Sequence, residues 1–161
     1  MIEIVESNYT RDGHGKIILA LLDRYAGGIM GGGKSLSDPV KENLVAELEK
    51  RDTIYTVIAF VDGTAAGLAI SIEGFSTFAC KPLLNIHDLF VSPEFRGRGI
   101  AKLILKKVEE IAKREGCCKL TLEVLENNIP GMNLYKSMGF VPYKLDPTQG
   151  RAMFMEKITM A

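Results

Sequence analysis

The sequence is poor in the residues that build disulfide frameworks, zinc sites and membrane spans. It has three cysteines in 161 residues, an odd number with Cys117 and Cys118 adjacent, so no disulfide framework is expected. The two histidines, His14 and His87, do not form a Cys/His spacing typical of zinc. No apolar run approaches the roughly 20 residues of a membrane helix. We therefore expect reduced thiols, no metal and no membrane partner.

The sequence also lacks an excess of charge of either sign. Its 20 lysines and arginines balance 20 aspartates and glutamates, which gives no bulk attraction to nucleic acid or to an anionic membrane. The opening Met-Ile-Glu-Ile-Val-Glu is strand-like and lacks the basic-then-apolar pattern of a signal peptide, so we expect a cytoplasmic protein. The length predicts one domain, residues 1–161, that can bury a sizeable core.

Periodicity and turn residues predict an alternation of strands and helices. Strands are predicted at Ile2–Glu6, Thr53–Val61, Ala65–Phe75, Leu84–Val91, Cys117–Leu125, Phe140–Lys144 and Arg151–Ile158. Helices are predicted to end at Gly27, to span Pro39–Lys50, to run from Ile100 to Gly116 and to run from Asn127 through Met138. Thr10 or Asp12 is expected to cap the first helix and Asp38 the second.

The most informative stretch is the turn between the strand Leu84–Val91 and the helix that starts at Ile100. Glycines at the start of a helix let the backbone approach a ligand, and the first helical N–H groups have no internal partners. Arg96, Arg98 and Lys102 add positive charge to that of the helix dipole. These features predict a seat for a phosphate or pyrophosphate.

The glycine-rich segments of the sequence also allow three other interpretations. The turn does not have the G-x-G-x-x-G spacing of a dinucleotide fold, because Lys102 stands where the third glycine is required. It could also be a plain strand-to-helix turn whose glycines only allow tight packing. Separately, Gly28–Ser35 satisfies the Walker A pattern of nucleotide hydrolases, although the helical periodicity before it disagrees with a P-loop.

Two motifs in order resemble those of the GNAT superfamily of N-acetyltransferases. Arg96-x-x-Gly99-x-Ala101 after a Val-Ser-Pro strand end is similar to the family's acetyl-CoA pyrophosphate motif. Asn128, Leu134-Tyr135 and Gly139-Phe140 resemble the family's Asn-x-x-Ala-x-x-x-Tyr-x-x-x-Gly-Phe segment. Gly131 departs from it, since the family usually has Ala there. Together the motifs cover residues 84–143.

The resemblance implies an α/β fold in the order βααβββαβαββ, a mixed sheet flanked by helices. It also implies an enzyme, an acyltransferase that moves the acetyl group of acetyl-CoA directly to a primary amine in a ternary complex. Cofactor-binding residues are implied on the strand end, in the turn and in the second motif: Leu89, Phe90, Val91, Arg96, Gly97, Arg98, Gly99, Ile100, Ala101, Asn128 and Tyr135. The Val91 amide is the group expected to polarise the thioester carbonyl.

Proton transfer is expected from the second motif and from the central strand. Tyr135 matches the tyrosine that the family uses as general acid toward the thiolate. His87 is the first candidate for the base, since a histidine with a reference pKa near ~6.5 can accept a proton at neutral pH. Simple alternation places Asn85 and His87 on one face and Ile86, Asp88 and Phe90 on the other. A bulge would reverse this, so Asp88 is the second candidate.

The amine acceptor cannot be identified from the residues. Met30 and Gly31 in the Gly-rich loop, Phe75 and Ser76 at a strand end, and Asn85 are candidates for substrate binding. Small-molecule amines and peptide amines both remain open, and a homodimer is expected by analogy with the family. The alternative from another functional class is a non-catalytic module that binds acyl-CoA.

Overall fold

The computed structural model describes residues 1–9, 13–143, 146, 148, 150 and 152–159. The chain divides into two compact units, Met1–Leu122 and Glu123–Ala161. The first unit holds five strands: β1 (Ile2–Glu6), β2 (Ile54–Val61), β3 (Thr64–Ser76), β4 (Lys81–Val91) and β5 (Leu120–Leu122). It also holds the helices α1 (His14–Gly27), α2 (Asp38–Glu49) and α3 (Ile100–Arg114), whereas α4 (Ile129–Ser137) belongs to the second unit.

The five strands form one mixed sheet in the order β1-β2-β3-β4-β5. The first four strands are antiparallel to their neighbours, and β5 is parallel to β4. The turn Asp62-Gly63 has positive φ at both residues, as a two-residue hairpin with right-handed strand twist requires. This arrangement confirms the expected α/β class with a mixed sheet.

Helices cover both faces of the sheet, and β3 is therefore buried at every residue from Ala66 to Ser71. On one face α1 and α2 bury Ile18, Leu22 and Leu48 against Leu68 and Phe90. On the other face α3 buries a helical stripe that includes Ile100, Ile104, Leu105, Val108 and Ile111. Burial of such stripes, at roughly 25 cal/mol per Å² of apolar surface, is the main stabilising term of the unit.

The helix starts differ in detail from the predictions. Ser37 rather than Asp38 is the N-cap of α2, and Asp38 is the first helical residue, where its charge still favours the helix dipole. Gly13 in a left-handed conformation is the N-cap of α1. Thr10 and Asp12 lie outside the described residues.

Strand β5 is shorter than the predicted Cys117–Leu125. Its three residues pair with Leu84–Ile86 of β4. The next residue of β4 bulges, and a parallel ladder cannot continue past an irregularity in one strand without a matching change in the other. Cys117 and Cys118 precede the strand as free thiols.

The predicted last pair of strands, Phe140–Lys144 and Arg151–Ile158, is not observed in the described residues 140–143 and 152–158, and Lys144 and Arg151 lie outside the described residues. Met153, Phe154 and Met155 are 75–85% exposed. An apolar, β-prone run becomes a strand only where a neighbour accepts its backbone hydrogen bonds, and composition does not supply that neighbour. Within the described ranges no helix is both long and apolar enough to cross a membrane.

Candidate functional site

Strand β4 carries one extra residue at His87. The register pairs Asp88 with Ile70 and Ile86 with Ser71, so that His87 has no partner in β3. A bulge of this kind bends the strand and re-aims the side chains beyond it. The side chain of His87 is accordingly exposed, whereas Ile86 and the residues that follow are at least partly buried.

The bulge corrects the faces expected from simple alternation. Phe90 and its β3 partner Leu68 both belong to the core under α1 and α2, and Asp88 lies two residues before Phe90 on that same face. Across the bulge Asn85 joins this face, while Ile86 points toward α3. The strand therefore places Asp88 and Phe90 on the face toward α1 and α2, and Ile86, which alternation places with them, on the other face.

A cavity of about 370 Å³ lies between α1, α2 and this face of the sheet, and both His87 and Asp88 line it. The volume falls within the range of small-molecule sites. Most of the remaining lining is aliphatic and includes Leu22, Leu44, Leu48, Ile54, Ile70 and Ile72. The cavity thus combines an apolar wall with one carboxylate and one imidazole.

Asp88 is electrostatically linked to Tyr25, which also lines the cavity. Burial raises the pKa of the Asp88 carboxyl, and the neighbouring His87 partly offsets this by favouring the carboxylate. The pKa of Tyr25 is raised by burial and then by the negative charge of Asp88. The Tyr25 ring is fixed by contact with Phe90, with ring centroids 5.7 Å apart. Asp88 is thereby a stronger base than an exposed carboxylate.

The Gly-rich loop after α1 is a wall of this cavity and not a nucleotide site. It follows a helix, whereas a P-loop follows a strand. Its backbone donors are used internally: Gly31 and Gly33 donate to the Gly28 carbonyl at 3.0 Å, and Lys34 donates to Ala26 at 3.1 Å. N–H groups engaged in this way cannot cradle phosphates, so the Walker A interpretation is wrong.

Asp23 in α1 holds the far end of the same loop. Its Oδ1 accepts hydrogen bonds from Ser35 Oγ and from the Leu36 backbone N–H, each at 2.7 Å. Lys41 Nζ of α2 lies 3.1 Å from Oδ2 of the same carboxylate. The hydrogen bond from Ser35 is the largest of several effects that lower the pKa of Asp23. This one carboxylate therefore links α1, the loop and α2, and it fixes Leu36 at the cavity wall.

The outer edge of β4 is open beyond the bulge. In the described part of the chain β5 pairs with β4 only as far as Ile86. The Ser92 N–H donates to Ala66 of β3 at 2.9 Å. Because the flanking Gly67–Val91 pair is then of the non-hydrogen-bonded type, the Val91 N–H and carbonyl point away from β3. A backbone donor is thus presented at the open edge.

The turn after β4 leads to the start of α3 with unused backbone donors. Gly97 and Gly99 have φ of 76° and 77°, a region that residues with a side chain rarely adopt. Gly99 is the N-cap of α3 and has no side-chain cap, and its carbonyl accepts from Leu103 N. Ile100 is buried and anchors the first turn. The free N–H groups, the helix dipole and Lys102 fit an anionic group.

Two arginines hold this turn in place. Arg24 of α1 donates to Ser92 Oγ at 3.1 Å and forms a bidentate pair with Glu94 at 3.0 Å. Arg96 Nε donates to the Val91 carbonyl at 3.0 Å. Ser92 is fully buried, so the first of these contacts also satisfies a polar group in the core. The turn is therefore tied both to α1 and to the end of β4.

The second unit carries the other predicted motif. Asn128 is the N-cap of α4, and its Oδ1 accepts a hydrogen bond from Gly131 N at 3.1 Å. Tyr135 contacts Phe140 edge to face, with centroids 5.8 Å apart. These contacts order the motif within its own unit.

The structure divides the predicted substrate-binding residues. Gly31 lines the cavity. Met30 and Phe75 are 47% and 60% exposed and are not among the residues that line it. Ser76 pairs with Lys81 at the other end of β3 and β4. Asn85 Nδ2 donates to Thr121 Oγ1 at 3.1 Å, so this side chain links β4 to β5.

Sequence reasoning missed three residues of this site, Asp23, Arg24 and Tyr25. Tyr25 fits the apolar periodicity of the first helix through its ring, and that pattern gives no indication of its hydroxyl group. Asp23 and Arg24 are a charged pair near the end of a mostly apolar helix, and this pair is the signal in the sequence that could have indicated the site. Within the described residues no three His, Cys, Asp or Glu side chains are placed to hold a metal ion.

Comparison with known sequences identifies related proteins. A family model described as "Acetyltransferase (GNAT) family" matches residues 33–140. Thialysine N-epsilon-acetyltransferase of Bos taurus is 48% identical over 56 residues, which are 35% of this chain and 33% of that protein. Streptothricin acetyltransferase of Streptomyces lavendulae is 35% identical over 101 residues, 63% of this chain and 51% of that protein. The chain thus matches between a third and about half of the length of these curated relatives.

Comparison with solved structures supports the fold. A structure titled AAC(6')-Iy in complex with the bisubstrate analog CoA-S-monomethyl-acetylneamine superposes with a TM-score of 0.77. The match covers 98% of this chain and 99% of that chain at 22% sequence identity. At this identity the similarity shows a common architecture.

The close packing of the Gly31 loop on α1 predicts that one added methyl group at Gly31 destabilises the protein. A Cβ at Gly31 would lie 2.0 Å from the Tyr25 carbonyl oxygen, so Gly31→Ala must displace the loop. We expect a loss of about 1–3 kcal/mol in the free energy of unfolding, measured by urea denaturation. Gly27→Ala is the matched control, because a Cβ there meets nothing within 4 Å and alanine favours the helix. Equal stability of the two variants would contradict this packing.

The burial of Asp88 predicts a specific dependence of stability on pH. Folding raises the pKa of Asp88, so the ionised carboxylate is less stable in the folded protein than in the unfolded chain. The free energy of unfolding therefore falls as the pH rises from about 4 through the folded-state pKa. Asp88→Asn should therefore gain stability relative to the wild type over this range. Glu47→Gln should behave in the opposite way, since Lys50 and then Arg51 lower the pKa of Glu47 to about 2. Urea denaturation of all three proteins at pH 2 to 8 measures both slopes, because the Glu47 effect develops between about pH 2 and the ordinary pKa of a glutamate. A flat difference for Asp88→Asn would contradict the burial.

Proposed function

Because the chain belongs to the GNAT acetyltransferase family, we propose that it transfers the acetyl group of acetyl-CoA to a primary amine. The observation that carries the proposal is the open edge of β4, which leads into a glycine turn and a helix start with unused N–H groups. The relatives named as thialysine and streptothricin acetyltransferases support an amine acceptor. The structural neighbour with a CoA-containing ligand supports acetyl-CoA as the donor.

The pyrophosphate of CoA would be held by the backbone from Arg96 to Ala101. The N–H groups at the start of α3 supply neutral donors, and Arg98 and Lys102 supply charge. Arg96 has a different role in this proposal, since its Nε is engaged by the Val91 carbonyl. The pantetheine arm would lie along Leu89 and Val91, whose N–H groups point to the open edge, while Phe90 faces the core.

The Val91 N–H is proposed to donate to the carbonyl oxygen of the thioester. A preorganised backbone donor stabilises the charge that develops on that oxygen without any reorganisation. The contact from Arg96 to the Val91 carbonyl and the anchoring of Ser92 on β3 fix the direction of this donor.

Asp88 is the base that we favour, with His87 as the alternative. Asp88 is partly buried in the cavity and its pKa is raised, so it can take a proton from an ammonium group and leave the free amine to attack. His87 is exposed at the bulge, where it can pass that proton to solvent. This order reverses the one expected from the sequence.

Tyr135 is proposed as the acid that protonates the departing thiolate. A phenol with a reference pKa near ~10 can serve a thiolate in this way. Asn128 would bind the pantetheine arm in addition to its capping bond. The amine attacks the thioester directly in a ternary complex, so Cys117 and Cys118 are not required as nucleophiles. A cytoplasmic homodimer completes the proposal.

The test compares ligand binding with turnover. Acetyl-CoA at about 100 times its Kd should add roughly 2.7 kcal/mol to the free energy of unfolding, and ATP with magnesium should add nothing. Release of free CoA thiol should then depend on an added primary amine. If acetyl-CoA binds but no amine of a library causes release of CoA thiol, the result would contradict the proposed enzyme activity and favour the non-catalytic module.

Variants separate the proposed proton donor from the proposed acceptor. Asp88→Asn should lower kcat/KM about 10²–10⁴-fold, and His87→Gln should lower it less. Tyr135→Phe should lower kcat on acetyl-CoA but have little effect on a thioester with a more acidic leaving thiol, whereas Tyr143→Phe in the same unit should be neutral. A larger loss for His87→Gln than for Asp88→Asn would restore the histidine as the base.

A further inference from the structure

We infer that the acceptor is a primary amine carried on a compact, uncharged and mainly apolar body, with its ammonium group at Asp88. The inference rests on the proposed acetyl transfer and specifies the substrate class of the same cavity. It excludes polycationic amines as good substrates.

The first argument is the composition of the wall. Leu22, Leu48 and Ile70 form a floor that is at most 8% exposed, and Leu44, Ile54 and Ile72 extend it with aliphatic carbon. A ligand body that replaces water against this wall gains roughly 25 cal/mol per Å² of apolar area. Hydroxyl or ammonium groups would instead lose their hydration without a partner there.

The second argument is the position of charge. Asp88 is the one carboxylate among the described residues that line the cavity. Asp23 near the end of α1 and Glu94 on the adjoining turn are already paired with Lys41 and Arg24. One ammonium group therefore finds a counter-charge in the cavity, and a second or third ammonium group does not.

The third argument is the size of the cavity. Val40 of α2 lines the cavity and is 38% exposed, and His87 at the bulge is exposed as well, so these two residues lie at its mouth. Tyr25, which also lines the cavity, is fixed by its ring contact with Phe90. The volume of about 370 Å³ limits the ligand to a compact body.

The experiment measures kcat/KM by CoA thiol release with acetyl-CoA and three amines: 2-phenylethylamine, spermidine and kanamycin. We expect 2-phenylethylamine to exceed both polycations by at least about tenfold. An equal or higher value for either polycation overturns the inference and leaves the acetyltransferase function standing. If none of these amines nor any from a wider library releases thiol, the proposed function fails, and the inference fails with it.

A variant at the mouth tests the charge argument independently. Val40→Asp adds a carboxylate at the cavity, so the ratio of kcat/KM for 2-phenylethylamine to that for spermidine should fall about tenfold. Ala46→Asp places the same charge on an exposed position of α2 outside the cavity and should leave the ratio unchanged. Thermal unfolding verifies that both variants fold. An unchanged ratio in a folded Val40→Asp variant, or equal shifts in both variants, would overturn the inference.

Discussion

The extra residue at His87 is the constraint on which the candidate site depends. Because of it, Asp88 and Phe90 lie on the face under α1 and α2 while Ile86 lies on the other face, although simple alternation would have placed all three on one face. It also ends the pairing of β5 with β4 at Ile86, which opens the edge where the Val91 N–H points. One inserted residue thus supplies both the buried carboxylate and the free backbone donor. Bulges recur next to active sites because they re-aim side chains and interrupt pairing in this way.

The last turn of α1 keeps this geometry fixed. Asp23 binds the loop that leads into α2, and Arg24 binds the turn that leads into α3. Tyr25 comes next and faces the cavity between those two segments. The ion pairs are partly exposed and contribute little stability. We interpret them as positioning contacts, which hold the cavity wall and the turn before α3 on the same helix.

The sequence predicted the elements that depend on local patterns. The strand end at Val91, the glycine turn and the stripe of α3 each have a short-range signal, and two motifs identified the family. The bulge at His87 could not be placed, because a one-residue insertion leaves no mark in a mostly apolar strand. The absence of strands in 140–143 and 152–158 could not be predicted either, since pairing is decided by a neighbour distant in sequence. Tyr25 shows a third limit, because an amphipathic side chain satisfies an apolar pattern while its hydroxyl group faces a site.

The most direct test of this arrangement is a crystal structure of the protein with a compound that joins 2-phenylethylamine to CoA through an acetyl linker. We expect the phenyl ring in the cavity, the amine nitrogen near Asp88 and the linker carbonyl oxygen about 3 Å from the Val91 nitrogen. A phenyl ring bound outside the cavity, or an Asp88 side chain turned toward α3, would contradict the central role of the bulge.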